Sequence, residues 1–420
     1  MCMVLNKLSY IKIGFYIKIY FEGGMSDTSI ELKGLAWDHE RCWAPLELGA
    51  KEFNGMHPEV TIQWDRRSLF SFGEGNLDAV VEHYDLIMID HPFAGESVDN
   101  RYFHDLTTLL PPAFIENQRK HSVGPSFESY RFGQNLTALP VDAACQVAAY
   151  RPDLFEHYGW TLPRTYEDLI TLGNLAKVQG LFLGYPAVQV DIICSFLTIS
   201  ANLGYPLSDK SEFWTLAQFQ SVCHILKTML SFAHPDSFRW NPVRCYEHMT
   251  HHDDVLYCPL GFGYLNYSAE GAGKPLAFSD IISFGQPISC AGALLGGAGL
   301  AITTSCQHPE VAASFAAYIA SEDFQTNGYV KAGGQAGHST AWDSEANNAQ
   351  FGHFFINTRK TIDSAYLRPR FPGFMDFFRD AAIQLTTIFT SNAPIEMVWR
   401  HLRREYEASL RKTRLVDTNV

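Results

Sequence analysis

Three apolar runs near the start of the chain each lead into an Asp followed by a basic residue. Ile30 to Trp37 runs into Asp38-His39, Val60 to Trp64 into Asp65-Arg66-Arg67, and Leu86 to Ile89 into Asp90-His91. Helix-like segments lie between them. Leu46, Gly49, Ala50 and Phe53 fall at i, i+3, i+4 and i+7, with Pro45 suited to a first helical turn. Leu77, Val80, Val81 and Tyr84 repeat the spacing. That alternation predicts a parallel βαβαβ sheet. In open α/β sheets ligands bind beyond the carboxyl ends of the strands, so three charged tips flanked by aromatic residues point to one crevice for a polar ligand. The alternative is that each Asp is a turn residue bonding its own backbone.

At 420 residues the chain predicts two lobes rather than one core. Its 46% hydrophobic and 18% charged content describe an ordered globular protein. A net charge of −13 and the lack of a basic run exclude a nucleic-acid partner. Nine cysteines are dispersed without a CxxC pair, a pattern of free thiols in a reducing compartment rather than a disulfide framework. Residues 1–28 read as a poorly defined leader or a mis-assigned start. Lys7, Lys12 and Lys18 interrupt the apolar run, and Met25 offers a fresh initiator.

Further along, Leu139-Pro140-Val141-Asp142 leads into a strand-like run from Ala143 to Tyr150, followed by a short helix around Leu154 to Tyr158. Thr165 and Asp168 form a capping box. Residues 192–203 and 213–232 are helical by spacing, which predicts a middle third without a strand-rich counterpart, broken by a Gly-rich band from Gly261 to Gly273. Pro309 opens another helix, Ser321 caps a further one, and Gly333 to His338 reads as a flexible loop. Neither GxGxxG nor a P-loop order is present around the glycines.

In their order and spacing these segments resemble the extracellular solute-binding proteins of ABC importers, family 1, the maltose and oligosaccharide type. The resemblance runs from about Leu32 to Lys412. It rests on Ala50-Lys51-Glu52-Phe53 before His57-Pro58-Glu59-Val60, on Tyr84 to Asp90, on Leu139 to Asp142 with Tyr150, and on Leu154-Phe155 through Gly159 to Pro163-Arg164-Thr165-Tyr166-Glu167-Asp168-Leu169. Gly296-Gly297 to Ile302, Ala312 to Ile319 and Gly333-Gly334 complete it. It implies an α/β, two-lobe periplasmic-binding-protein type II fold, with a hinge crossed about three times and ligand trapped by hinge closure. Lobe 1 would hold residues 29–141 and 284–342, and lobe 2 residues 142–283 and 343–415. It further implies a monomer working with ABC permease subunits outside the cytoplasm, without catalysis, cofactor or metal. Asp142 would be a ligand-contacting acid at the first crossing. Two departures stand out. Cys2 lacks the leader that lipid attachment requires, and Ala298 stands where many relatives carry Trp.

The residue chemistry suits a carbohydrate or related polyol. Asp38, Asp65, Asp90, Asp142, Arg66 and Arg67, joined by His39 and His91, supply acceptors and planar donors for hydroxyls. Trp37, Tyr185, Phe262, Tyr264, Phe374 and Phe378 could cover apolar ring faces. Asp191, Gly297, Gln335 and Arg370 complete the candidate set. The adjacent Arg66 and Arg67 admit an acidic or phosphorylated sugar. The competing class is a cytoplasmic enzyme or sensor on the same fold. It would use a metal held by Asp38, His39, Asp90 and His91, or a nucleophilic Cys145. The segment His248, His251, His252, Asp253, Asp254 reads as a solvated loop without HExxH spacing.

Overall fold

The computed structural model describes residues 29–208, 212–269, 271 and 273–417, so the expected leader and the alternative start at Met25 lie outside the described residues. In chain order the principal elements are β1 (Ile30–Trp37), α1 (Glu40–Met56), β2 (Val60–Arg67), β3 (Leu86–Ile89), β4 (Leu139–Tyr150), α2 (Tyr166–Val178), β5 (Phe182–Leu183) and α3 (Gln189–Asn202). There follow α4 (Leu216–Leu230), α5 (Pro242–His251), β6 (Val255–Phe262), β7 (Ala277–Ser279), β8 (Leu295–Ile302), α6 (Pro309–Ile319), α7 (Phe374–Thr390) and α8 (Ile395–Asp417). The chain forms two compact units. Unit 1 runs through Ala143 and takes up again over Gly297–Ser344; unit 2 holds Ala144–Gly296 and the chain from Glu345 onward.

In unit 1, β1 pairs in parallel with β2 from Ile30↔Val60 to Trp37↔Arg67, and with β3 at Gly34↔Leu86 and Leu35↔Ile87. β8 closes the other side antiparallel, from Gly299↔Ile89 to Ile302↔Leu86. The predicted parallel order of the first three strands is therefore present. The predicted apolar face of α1 is buried through Leu46, Gly49, Ala50 and Phe53. Phe53 meets the rings of Phe315 and Tyr318 on α6 at 5.4 and 5.9 Å, and its burial contributes about 1.5–3 kcal/mol. Gly49 permits that approach, since a Cβ there would lie 2.2 Å from Ile319 Cδ1.

Four expectations for unit 1 need correction. Pro45 sits inside α1, because His39 caps the helix one turn earlier by accepting the Arg41 N–H. β2 runs on to Arg67, so Asp65 and Arg66 lie within the strand; full-length pairing with β1 holds these polar residues extended on a half-solvated edge. Residues 77–84 form successive turns, begun by the Asp78 N–H bond to Asn76 Oδ1, and the regular helix lies earlier at Leu69–Glu74. The Gly333–His338 loop is pinned rather than free. Ala143 N bonds Gln335 O at 2.9 Å, Gln335 Nε2 returns to Ala143 O at 2.8 Å, and Gln325 Oε1 accepts the Gly337 N–H at 2.7 Å.

In unit 2, β6 pairs antiparallel with β4 and in parallel with β5, and β7 pairs antiparallel with β4. The middle third thus contains a strand that helical spacing did not announce. β6 is buried along nearly its whole length, so it shows a continuous apolar run and no alternation. Pro259 cannot donate to the ladder, and the β4–β6 register shifts across it, between Val147↔Gly261 and Ala149↔Cys258. The predicted capping box is formed: Thr165 Oγ1 accepts the Asp168 N–H and Asp168 accepts the Thr165 N–H. α3 packs on α4 and α7, and α7 on α8.

Candidate functional site

The parallel registers of unit 1 bring the carboxyl ends of β1, β2 and β3 side by side. At this edge Asp38 donates its backbone N–H to Arg67 O at 2.7 Å, and its carboxylate is exposed. The Arg66 guanidinium lies 3.8 Å from the centroid of the Trp43 ring, bonds Glu47 Oε1 at 2.7 Å and stands 4.0 Å from Asp38 Oδ1. Arg67 donates to Met88 O at 2.8 Å; burial pulls its pKa down to about 10, so it remains a cation near neutrality. Asp65 accepts from the Tyr84 hydroxyl at 3.0 Å.

Trp37 is buried against Phe72, with ring centroids 4.7 Å apart, and the Arg41 guanidinium lies 5.9 Å from its ring. Asp90 caps the turn after β3 by accepting the His91 N–H at 2.8 Å. The His91 ring is buried edge-on to Tyr130. His39 uses Nδ1 to cap α1, and burial together with the nearby Arg41 charge pulls its pKa down to about 4. Among the described residues, three metal-donor atoms within 4.8 Å of one another occur at His234, His248 and Asp254, not at the strand tips. That removes the geometric basis for a metal held by Asp38, His39, Asp90 and His91.

Asp142 stands beside the Ala143–Ala144 unit boundary, and its carboxylate is engaged inside unit 1. Its carboxylate takes a two-pronged grip from Arg41, Nε to Oδ2 at 2.9 Å and Nη2 to Oδ1 at 2.5 Å, with side chains 0% and 4% exposed. Burial pushes the Asp142 carboxyl up while Arg41 pulls it the other way. Arg41 escaped notice in the sequence because its partner lies 101 residues away. Trp43 and Glu47 were likewise missed, although both follow the first strand tip on α1 and could have been found as the i+3 and i+7 neighbours of Glu40.

The remaining candidates divide sharply by burial. Gly297 has φ 99°, a conformation suited to glycine, and Gln335 is buried in its backbone bonds. In unit 2, Tyr185, Asp191 and Tyr264 are buried, and Phe262 and Arg370 are half-buried. Phe374 and Phe378 share a face of α7 as predicted, but that face is core: Phe374 packs against Phe371, Phe377 and Phe378. Seventeen residues of amphipathic helix need an apolar stripe, and these two rings are part of it. The structure brings together Asp38, Arg66 and Arg67 with Trp37 and Trp43 at the carboxyl ends of β1 and β2, with Asp90 following β3, while Asp65 lies two residues inside β2 and faces the opposite side from Arg66.

Residues 50–351 match a family model described as bacterial extracellular solute-binding protein. No curated protein sequence matches. Solved structures similar to the chain include the maltose-bound MalE3 of T. maritima, with 16% identity, 90% of this chain and 99% of that one covered, and a TM-score of 0.74. An ABC-transporter solute-binding protein of Agrobacterium radiobacter in complex with ribitol shows 18% identity, 90% and 98% coverage and a TM-score of 0.76. The GacH receptor of Streptomyces glaucescens, studied with acarbose, shows 12% identity, 92% and 99% coverage and a TM-score of 0.75. At these identities the structures speak for the two-lobe α/β fold.

Proposed function

Because the chain belongs to the bacterial extracellular solute-binding proteins, we propose that it captures a carbohydrate or related polyol and hands it to the permease of an ABC importer outside the cytoplasm. The observation that carries this reading is the sheet edge of unit 1. Exposed Asp38 and Arg66 stand beside Arg67 there, and Arg66 is fixed over the Trp43 ring. Hydroxyl groups need paired acceptors and donors, and a sugar's C–H face needs an aromatic or apolar wall. Ligands of the similar structures, namely maltose, ribitol and acarbose, are of that kind. Arg66, Arg67 and Asp90 are the proposed polar contacts. Trapping proceeds without bond breaking, by the hinge motion the resemblance implies.

Thermal unfolding of the chain against sugars, polyols, sugar acids and sugar phosphates tests the reading. A ligand at about 100 times its dissociation constant adds roughly 2.7 kcal/mol of stability. Stabilisation by a sugar or polyol supports it, and no stabilisation by any sugar or polyol, with stabilisation instead by an amino acid, peptide or inorganic anion run as controls, refutes it. A second reading, a sensor in a reducing compartment, is favoured by the eight cysteines among the described residues standing as thiols, seven of them buried. Cell fractionation separates the two.

A further inference from the structure

We propose that unit 2 carries a divalent transition-metal site of the Zn2+ type, formed by His234, His248 and Asp254. His248 Nε2 lies 2.7 Å from Asp254 Oδ1, and His234 Nε2 lies 3.4 Å from Asp254 Oδ2. One donor atom from each of the three lies within 4.8 Å of the others. Ligand atoms at about 2.0–2.2 Å around a tetrahedral ion stand roughly 3.3–3.6 Å apart, so small ring rotations admit an ion. The side chains are 13%, 19% and 39% exposed, which leaves a path for entry and an open position for water.

The three donors come from separate segments that the strand edge of unit 2 holds in place. His234 donates its N–H to Leu183 O at 2.9 Å, and Asp254 O accepts the Phe182 N–H at 2.7 Å, so both are anchored on β5. His248 sits in the last turn of α5. The rings are pre-set by stacking: His234 on Trp240 with centroids 4.6 Å apart at 12°, and His248 on His252 at 4.3 Å and 19°. The buried Arg151 guanidinium locks the turn between α5 and β6 by donating to Met249 O and His252 O, each at 2.7 Å, and to Asp253. Sequence alone gave a solvated loop here because His234 stands 14 residues before His248 and outside the polar run.

Two imidazoles and one carboxylate select borderline ions such as Zn2+ over Mg2+ or Ca2+, which prefer all-oxygen cages. Without metal, His234 Nδ1 accepts the Asp236 N–H at 3.1 Å, which puts the ring proton on Nε2, facing Asp254. Coordination through Nε2 returns that proton to Nδ1, so the bond to the Asp236 amide is exchanged for the metal bond.

The test uses the full, tag-free chain, stripped with chelator and dialysed against buffered Zn2+ with and without excess Mg2+, with bound metal counted by mass spectrometry. One Mg2+-insensitive equivalent is expected, with a shift of the Asp236 amide resonance on loading. His248→Ala and Asp254→Asn should each weaken binding by about 100-fold or more. His251→Ala should not, because that exposed ring bonds Glu247 O outside the cluster. If His248→Ala does not fold, Asp254→Asn carries the test, since that carboxylate is the most exposed of the three. Absence of a bound equivalent, unchanged affinity in Asp254→Asn, or an equal loss in His251→Ala would overturn the site. Sugar binding is read separately, so the two proposals fail independently.

Discussion

Asp142→Asn offers a test of the Arg41–Asp142 pair as a structural strut. The substitution keeps shape but leaves the Arg41 guanidinium buried without its counter-charge. Both side chains are at most 4% exposed and the contact is two-pronged, so solvent cannot take over the lost partner. Breaking a buried pair on one side costs about 3–5 kcal/mol. Unit 1 contains roughly 160 described residues. At about 2.1 cal/mol/K per residue, its transition would move down by roughly 9–15 °C if it unfolds separately. Urea unfolding of wild type, Arg41→Met, Asp142→Asn and Asp142→Leu, with the Arg41→Met/Asp142→Leu double variant, measures the coupling directly. Each single change should lose several kcal/mol, while the double variant should return to within about 1 kcal/mol of wild type, because two apolar groups leave no orphan charge. A single-variant loss under about 1 kcal/mol, or additive losses in the double variant, would refute the buried-pair reasoning.

Other expected outcomes follow from particular contacts. Phe378→Ala should lower stability by about 3–5 kcal/mol in chemical denaturation, as loss of a core ring does, with sugar affinity unchanged under native conditions. Gly34→Ala should cost about 1–3 kcal/mol by the same assay, since its Cβ would lie 2.3 Å from the rigid Trp64 indole. Burial and the neighbouring His121 pull His338 down to about 4 from an ordinary 6.5. Below pH 6.5 the unfolded chain takes up this proton and the folded chain does not, so stability should fall as pH drops from 6.5 towards 4, by at most about 3 kcal/mol from this group. His338→Gln should flatten that part of the pH profile; an unchanged slope would assign it to other groups.

The first three strands and the α1 face were legible because each carries its own local pattern: apolar runs of strand length, and small and apolar residues at helical spacing. The Thr165–Asp168 cap was legible for the same reason, its partners lying three residues apart. β6 was hidden because a strand buried on both faces has no alternation to read, and Pro259 argues locally against it. The Gly333–His338 loop looked free because its restraint comes from Gln325 and from β4 far along the chain. The site candidates divided on the same line. Exposed Asp38 stayed at the sheet edge where β1 ends, Asp65 and Arg66 were drawn into β2, which runs on to Arg67, and Asp142 was claimed by Arg41. Phe374 and Phe378 went to the core, since spacing alone cannot say whether a shared helix face meets ligand or protein.

The most direct measurement is calorimetric titration of the wild-type chain with the best sugar or polyol from the thermal panel, repeated with Arg66→Ala and Asp90→Ala. The account predicts saturable one-to-one binding that weakens about tenfold or more in each variant, with unfolding temperatures close to wild type. Wild-type affinity in both variants, or no binding by any sugar or polyol, would contradict it.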